Sequence, residues 1–239
     1  AVGAGAADAV TTGGNNIAMG HTAAGALTTG DDNIAIGYRS LDAATTVSDI
    51  VAIGSNALGA NTTGTNNTAV GTSALANTTT GANNTAVGYN AGTAIGAANN
   101  TTFIGNGAGD ATTSGVDNTG VGNSALGANT TGQENVAVGK SALLLNTTGD
   151  YNTAVGKDAL RANTGDNNVA VGYNALTANT GGTYNTAVGF NALDASTTAG
   201  ANTAVGYNTL TLNSSAQQNT AIGTSALAAT TTGGNNTAV

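Results

Sequence analysis

A glycine preceded by Val, Ile or Met recurs every 17 residues along the whole chain, and this period constrains the fold more than any other feature. The only other spacing is 16, between Gly156 and Gly172, where a turn reads NTG at 163–165 instead of NTTG. A fixed period of this length predicts a stack of repeats, each packed on its neighbours. The glycines of this column, which we call the key glycines, are Gly3, Gly20, Gly37, Gly54, Gly71, Gly88, Gly105, Gly122, Gly139, Gly156, Gly172, Gly189, Gly206 and Gly223.

The residue types around each key glycine predict the path of one coil. The residues leading up to the glycine are β-branched or Ala, as in NVAVGYNAL (168–176), and this composition predicts a short buried strand at Val169–Val171. The glycine predicts a bend, the four residues after it predict a second short strand, and NTTG predicts a polar turn. We therefore predict an all-β chain, a parallel β-solenoid with 17-residue coils and two short strands in each coil.

Asn precedes the predicted strand in most coils, four residues before the key glycine. In a solenoid, equivalent side chains stack above one another, so these amides are predicted to form a hydrogen-bonded ladder without any ligand. The predicted ladder includes Asn67, Asn84, Asn118, Asn135, Asn152, Asn168, Asn185, Asn202 and Asn219.

The composition excludes several classes of protein. Only 7% of the residues are charged and 3% are aromatic, so the chain has few large side chains with which to fill a wide core. A net charge of −8 argues against nucleic acid as a partner, and the lack of Cys excludes disulfides and thiolate metal sites. No apolar run is long enough to predict membrane contact within this segment. We expect residues 1–239 to form a single array of about fourteen coils, cut from a longer chain because both ends fall inside a repeat.

The first strand of each coil is apolar on both faces, because Val or Ile alternates with Ala. One chain covers only one of these faces, which leaves a continuous apolar stripe larger than monomers normally expose. The pattern predicts that several copies of the chain pack through this strand, and it leaves open which face meets the partner.

The segments DIVAIGSNAL (49–58) and NIAIGYRSL (33–41) resemble the head repeat of YadA-like trimeric autotransporter adhesins. The NTAVGYNAL-type arrays are also similar to repeats of phage tail fibres. The resemblance implies a left-handed β-roll, a homotrimer around a common axis, and no catalytic residues. The 17-residue coils are longer than the common adhesin repeat, which implies longer outer loops.

The position after the key glycine varies most freely and is predicted to be exposed. We select it as a candidate surface recognition column, in which stacked aromatic side chains either contact a sugar or protein receptor or shield the sheet. The selected residues are Tyr173, Phe190, Tyr207, Lys140 and Lys157.

Other motifs favour structural interpretations. GNGAGD (105–110) lacks the spacing of a phosphate-binding loop, and the lone His21 supports no catalytic triad or metal cluster. Asp31, Asp32, Asp150 and Asp166 follow turn glycines, where turn formation is favoured over calcium binding.

Asn-x-Thr triplets are the motif for N-glycosylation, but Asn and Thr fill the turns of this chain and generate the triplets automatically. The Asn residues of these triplets include Asn61, Asn66, Asn77, Asn129 and Asn146.

These observations predict a non-catalytic structural or adhesive fibre segment, extracellular and on a cell or virion surface. It needs no cofactor or metal, and its partners are further copies of itself and a host-surface protein or glycan. The alternatives are a phage tail-fibre shaft or receptor-binding segment, and an ice-binding solenoid whose Thr ladders lie in the NTTG turns.

Overall fold

The computed structural model describes residues 1–239, and every regular element in it is a short β-strand. The chain divides into two compact units, Ala1–Asn118 and Thr119–Val239, and each unit is a parallel β-solenoid. The strands of the first unit are β1 (Ile17–Met19), β2 (Ile34–Ile36), β3 (Val51–Ile53), β4 (Thr68–Val70), β5 (Thr85–Val87) and β6 (Thr102–Ile104). The strands of the second unit are β7 (Thr119–Val121), β8 (Val136–Val138), β9 (Thr153–Val155), β10 (Val169–Val171), β11 (Thr186–Val188), β12 (Thr203–Val205), β13 (Thr220–Ile222) and β14 (Thr237–Ala238).

Within each unit, consecutive strands pair in parallel and in register. Thr68 of β4 lies beside Thr85 of β5, and Ala69 lies beside Ala86. Equivalent residues of neighbouring coils therefore form straight columns, as the glycine period predicts. The parallel β-solenoid and the 17-residue coil predicted from the sequence are confirmed.

The key glycines end the strands in a conformation that other residues rarely adopt. Gly139 has a φ of +135°, and a Cβ atom added there would lie 2.5 Å from the carbonyl oxygen of Gly156 in the next coil. Backbone therefore packs directly on backbone at this bend, which explains why the column contains only glycine.

The prediction of a second strand in each coil is wrong. The residues after each key glycine form a series of turns in which every second residue has positive φ, as at Asn56 (φ 59°) and Leu58 (φ 50°). Asn56 donates its backbone N–H to Tyr38 in the preceding coil, whereas Leu58 donates to Ala74 in the following one. The alternation lets a segment that is not a β-strand still hydrogen-bond to both neighbouring coils.

The leucines of this segment adopt positive φ at a cost that their burial offsets. A left-handed conformation costs an L-residue about 1–2 kcal/mol, while full burial of a leucine side chain contributes about 1.5–3 kcal/mol. Leu143 and Leu160 have φ values of 50° and 49° and are completely buried. The strain is thus stably maintained only because the side chain fills the core of the coil.

The strands bury one face only, and the prediction that all of Val169–Val171 is buried is wrong. Ala170 is completely buried, whereas Val169 remains 37% exposed and Val171 is half-buried. The middle residue of each strand points into the coil, and the first and third residues point outward. The structure thus resolves the orientation that the sequence left open.

The coil between Gly156 and Gly172 is one residue shorter than the others, and only its turn differs. Asn163 bonds to the carbonyl oxygen of Gly165, two residues on, whereas Asn146 reaches Gly149, three residues on. The pairing of β9 with β10 remains in register, with Thr153 beside Val169. A shorter turn therefore leaves the columns of the sheet unchanged.

Candidate functional site: the inner ladders and the outward columns

The Asn residues that precede the strands are buried and connect each coil to the next in two ways. The Oδ1 atom of Asn67 accepts the backbone N–H of Asn84 at 2.9 Å, and its Nδ2 donates to the carbonyl oxygen of Gly81 at 2.8 Å. One side chain thus forms hydrogen bonds with both the start of the strand and the turn of the next coil. At Thr101, where Asn is replaced, the hydroxyl group still bonds to Oδ1 of Asn84 at 2.8 Å.

A second buried Asn column was missed by the sequence reasoning, which assigned the Asn of NTTG only to a polar turn. Asn61 is completely buried, and its Oδ1 and Nδ2 atoms bond to the backbone N–H and carbonyl of Gly64 at 3.0 and 2.9 Å. The side chain closes the turn from inside. The three-residue spacing from Asn to Gly in most of the NTTG-type turns was the available signal. Other buried members of this column are Asn129, Asn146, Asn163, Asn179 and Asn213.

This burial also bears on the Asn-x-Thr triplets. Asn61, Asn129 and Asn146 are completely buried and closed to any modifying enzyme, whereas Asn66 and Asn77 are exposed. The three triplets that begin with buried asparagines are therefore structural.

Two neighbouring coils near residue 105 have glycine where most coils have leucine, and one large aromatic side chain fills the space. Phe103 occupies the Ala position of β6 and is completely buried, while Gly92 and Gly109 occupy Leu positions. A Cβ atom on Gly109 would collide with the Phe103 ring, and one on Gly92 would lie 3.3 Å from it. Gly109, the last glycine of GNGAGD, thus makes room for a side chain, in agreement with a structural interpretation of that motif.

The turn acids act as hydrogen-bond acceptors between coils. Oδ1 of Asp31 accepts the backbone N–H of Gly14, and Oδ1 of Asp150 accepts that of Gln133 at 2.7 Å. Asp166 accepts the backbone N–H of Asp150 at 2.9 Å in the same way, and Asp32 adopts a φ of 57° in its turn. No group of three or more acidic, His or Cys side chains is arranged to hold a metal ion.

The candidate recognition column lies on the outer surface, and the structure brings its aromatic members together. The ring centroids of Tyr173 and Phe190 are 5.1 Å apart, and those of Phe190 and Tyr207 are 5.6 Å apart. In the first unit, His21 stacks on Tyr38 at 5.6 Å in the same column. Side chains of successive coils therefore form continuous aromatic stacks.

The two lysines of the column differ in their surroundings. Lys157 lies 4.9 Å above the Tyr173 ring and 3.3 Å from Asp158, so it covers one end of the stack. The hydrogen bond to Asp158 raises the pKa of Lys157 above its usual value, and the interaction with Tyr173 adds to this effect. Lys140 is exposed in the preceding coil and does not join the stack.

The outward face of the strands carries two parallel columns of apolar and Thr side chains. Val138 and Val155 occupy the same column in neighbouring coils and are each 37% exposed. Ile17 and Met19 are more exposed, at 48% and 45%. None of the fourteen strands contains a charged residue. We call this surface the outer strand face.

Comparison with family models, curated proteins and solved structures finds no match for this chain. None of the elements is a helix with the length and apolar character needed to cross a membrane.

Proposed function

We propose that this chain is a non-catalytic structural and adhesive fibre segment that assembles with copies of itself through the outer strand face. The observation that carries the proposal is the pair of uncharged columns along this face, one made only of Val, Ile and Met and the other of Thr, Val and Ile. In each unit the columns repeat with the spacing of the strands, about 4.8 Å. A second copy has the same spacing, so its side chains match along the whole length of the contact.

The energetics favour a covered face. Burial of apolar surface contributes about 25 cal/mol per Å², so covering the column of Val, Ile and Met side chains favours assembly. Assembly carries no cost for desolvating charge, because the strands contain no charged residue. The acidic side chains keep the remaining surface soluble.

The number of copies and the biological setting follow from the resemblance to YadA-like heads and tail-fibre repeats. These imply a homotrimer displayed outside the cell, on a bacterial or virion surface. Backbone pairing in every coil supplies the stiffness that such a fibre needs. A host-surface protein or glycan is the proposed target.

The experiment pairs a disruptive variant with a charge-matched control. The double substitution Val138→Glu/Val155→Glu places two carboxylates on the outer strand face, and we expect it to dissociate the assembly to single chains. Lys140→Glu also adds negative charge, at an exposed position outside this face, and should leave the assembled mass unchanged. An assembled mass that is insensitive to the Val138→Glu/Val155→Glu change would exclude this face as the interface.

Ice binding is a second candidate, and the geometry favours the outer strand face over the turns for it. Thr62 and Thr130 in the turns donate their hydroxyl hydrogens to the next coil, at 2.9 and 2.8 Å. On the outer strand face, Thr186, Thr203 and Thr220 lie side by side in register. Ice-crystal growth in the presence of the micromolar protein tests this candidate, because a fibre whose strand face is covered should not slow growth.

A further inference from the structure

In the aromatic stack of the second unit, the rings of Tyr173, Phe190 and Tyr207 pack face to face. The Tyr173 and Phe190 rings are inclined by 14°, and the Phe190 and Tyr207 rings by 21°. Phe190 is therefore covered on both faces. Lys157 covers the remaining face of Tyr173, since its Nζ lies 4.9 Å from the ring centroid.

The opposite end of the stack differs, because Thr224 follows Tyr207 in this column. A threonine side chain is too small to cover a six-membered ring. Tyr207 is 52% exposed, compared with 40% for Tyr173 at the end that Lys157 covers. Thr224 and the neighbouring Ser225 are also exposed. The second face of the Tyr207 ring thus has no aromatic or lysine partner, and two exposed hydroxyl residues lie in the next coil, where Ser225 donates its backbone N–H to the Tyr207 carbonyl oxygen.

The first unit repeats this arrangement. His21 stacks on Tyr38 with an interplanar angle of 25°, and Ser55 follows Tyr38 in the next coil. Tyr38 is 55% exposed. Both stacks therefore end, in the same chain direction, at a tyrosine followed by a small hydroxyl residue.

The chemistry of this end fits a sugar better than a protein side chain. A pyranose ring has one face of C–H groups that packs on an aromatic face, while its hydroxyl groups need polar partners at its edge. Thr224 and Ser225 offer such partners. Aromatic anchors of protein interfaces instead fill well-packed, desolvated pockets, whereas Tyr207 is 52% exposed.

The spacing agrees with this ligand. Rings in the stack are separated by 5.1 and 5.6 Å, so the position above Thr224 accepts one further ring on Tyr207. We propose that the exposed face of Tyr207 binds the pyranose ring of a terminal sugar, with the hydroxyl groups of Thr224 and Ser225 at its edge. This site rests on the proposed adhesive function and gives it a ligand class.

The test follows the Tyr207 ring by NMR in tyrosine-labelled protein titrated with methyl β-D-galactopyranoside, whose C3, C4 and C5 hydrogens form an apolar face. The Tyr207 ring signals should shift in the natural protein and in Thr224→Ser, which keeps the hydroxyl group. Thr224→Phe adds the next ring of the stack and should raise the glycoside concentration for half-maximal shift by about tenfold or more. The column already accepts Phe at position 190, so this variant is expected to fold.

A second titration uses cellohexaose, whose pyranose rings are mainly internal. A response to the monosaccharide glycoside at equal or lower concentration supports binding of terminal sugars, and a response to cellohexaose alone contradicts it. Tyr207 signals that do not move, or that move equally in Thr224→Phe, overturn the site. The assembled mass of the same samples is measured separately, so failure of sugar binding is distinguishable from failure of self-assembly.

Discussion

The Oδ1 atom of Asn135 accepts two hydrogen bonds from Asn152 in the next coil, from its backbone N–H at 2.9 Å and from its Nδ2 at 3.1 Å. The Nδ2 atom of Asn152 also donates to the carbonyl oxygen of Gly165 at 2.9 Å. A buried amide thus connects three successive coils. Such a ladder stabilises the stack because each lost member leaves unpaired polar groups in the core.

The first prediction concerns this ladder. Asn152→Ala removes the bonds that Nδ2 donates to Asn135 and Gly165, and leaves the backbone N–H bond to Asn135 in place. We expect it to lower the free energy of unfolding by about 1–3 kcal/mol. Asn152→Thr should cost less, because a hydroxyl group at this position bonds to the preceding Asn, as Thr101 bonds to Asn84. Urea denaturation of both variants measures the difference, and equal losses would mean that the ladder bonds do not contribute.

The second prediction concerns the key glycines. Gly139→Ala forces a Cβ atom to within 2.5 Å of the Gly156 carbonyl oxygen at a φ of +135°, so we expect a loss of at least about 3 kcal/mol. Gly181→Ala is the matched control, since no atom lies within 4 Å of the added Cβ. We expect the control to be neutral or stabilising by about 0.4–1 kcal/mol. Similar thermal midpoints for the two variants would contradict this account.

The third prediction concerns the exchange of volume around Phe103. Phe103→Ala leaves a cavity and should cost about 3–5 kcal/mol. Gly109→Leu alone should also destabilise the protein, because the Phe103 ring occupies the space. The double variant restores the Ala and Leu of the common coil, and we expect it to be more stable than either single variant. A double-mutant cycle with additive losses would show that the two positions do not share this space.

The fourth prediction concerns pH. Burial raises the pKa of the half-buried Asp194 carboxyl group above its usual value. The folded state therefore favours the protonated carboxyl group, and stability should fall as the pH rises from the unfolded pKa through the higher folded pKa. Asp194→Asn removes this dependence, so the variant should be more stable than the natural protein at pH 7 and similar to it at pH 3. Identical differences at the two pH values would argue against a buried carboxyl group.

The sequence was sufficient to predict the coil, because the key glycine and the β-branched residues before it report directly on a bend and a strand. It could not reveal the turns after the glycine. Leu58 and Leu143 look like strand residues, and their positive φ arises only from packing inside the coil. The same packing explains why Asn61, which the sequence places in a polar turn, lies in the core.

The outward columns could be predicted in part. Free variation after the key glycine indicated exposure for Tyr173, Phe190 and Tyr207, but their ring geometry depends on the spacing between coils. The alternation of Val and Ala predicted two different strand faces. It could not identify the outward one, because Ala and Val are both apolar and only the curvature of the coil favours the smaller residue inside.

Sedimentation equilibrium of the purified chain tests the central claim most directly, because self-assembly through the outer strand face sets the mass of the particle. A homotrimer gives three times the chain mass of 22.6 kDa, and we expect this mass to fall to a single chain in Val138→Glu/Val155→Glu and to stay unchanged in Lys140→Glu. A natural protein that remains at 22.6 kDa throughout the concentration range would contradict it.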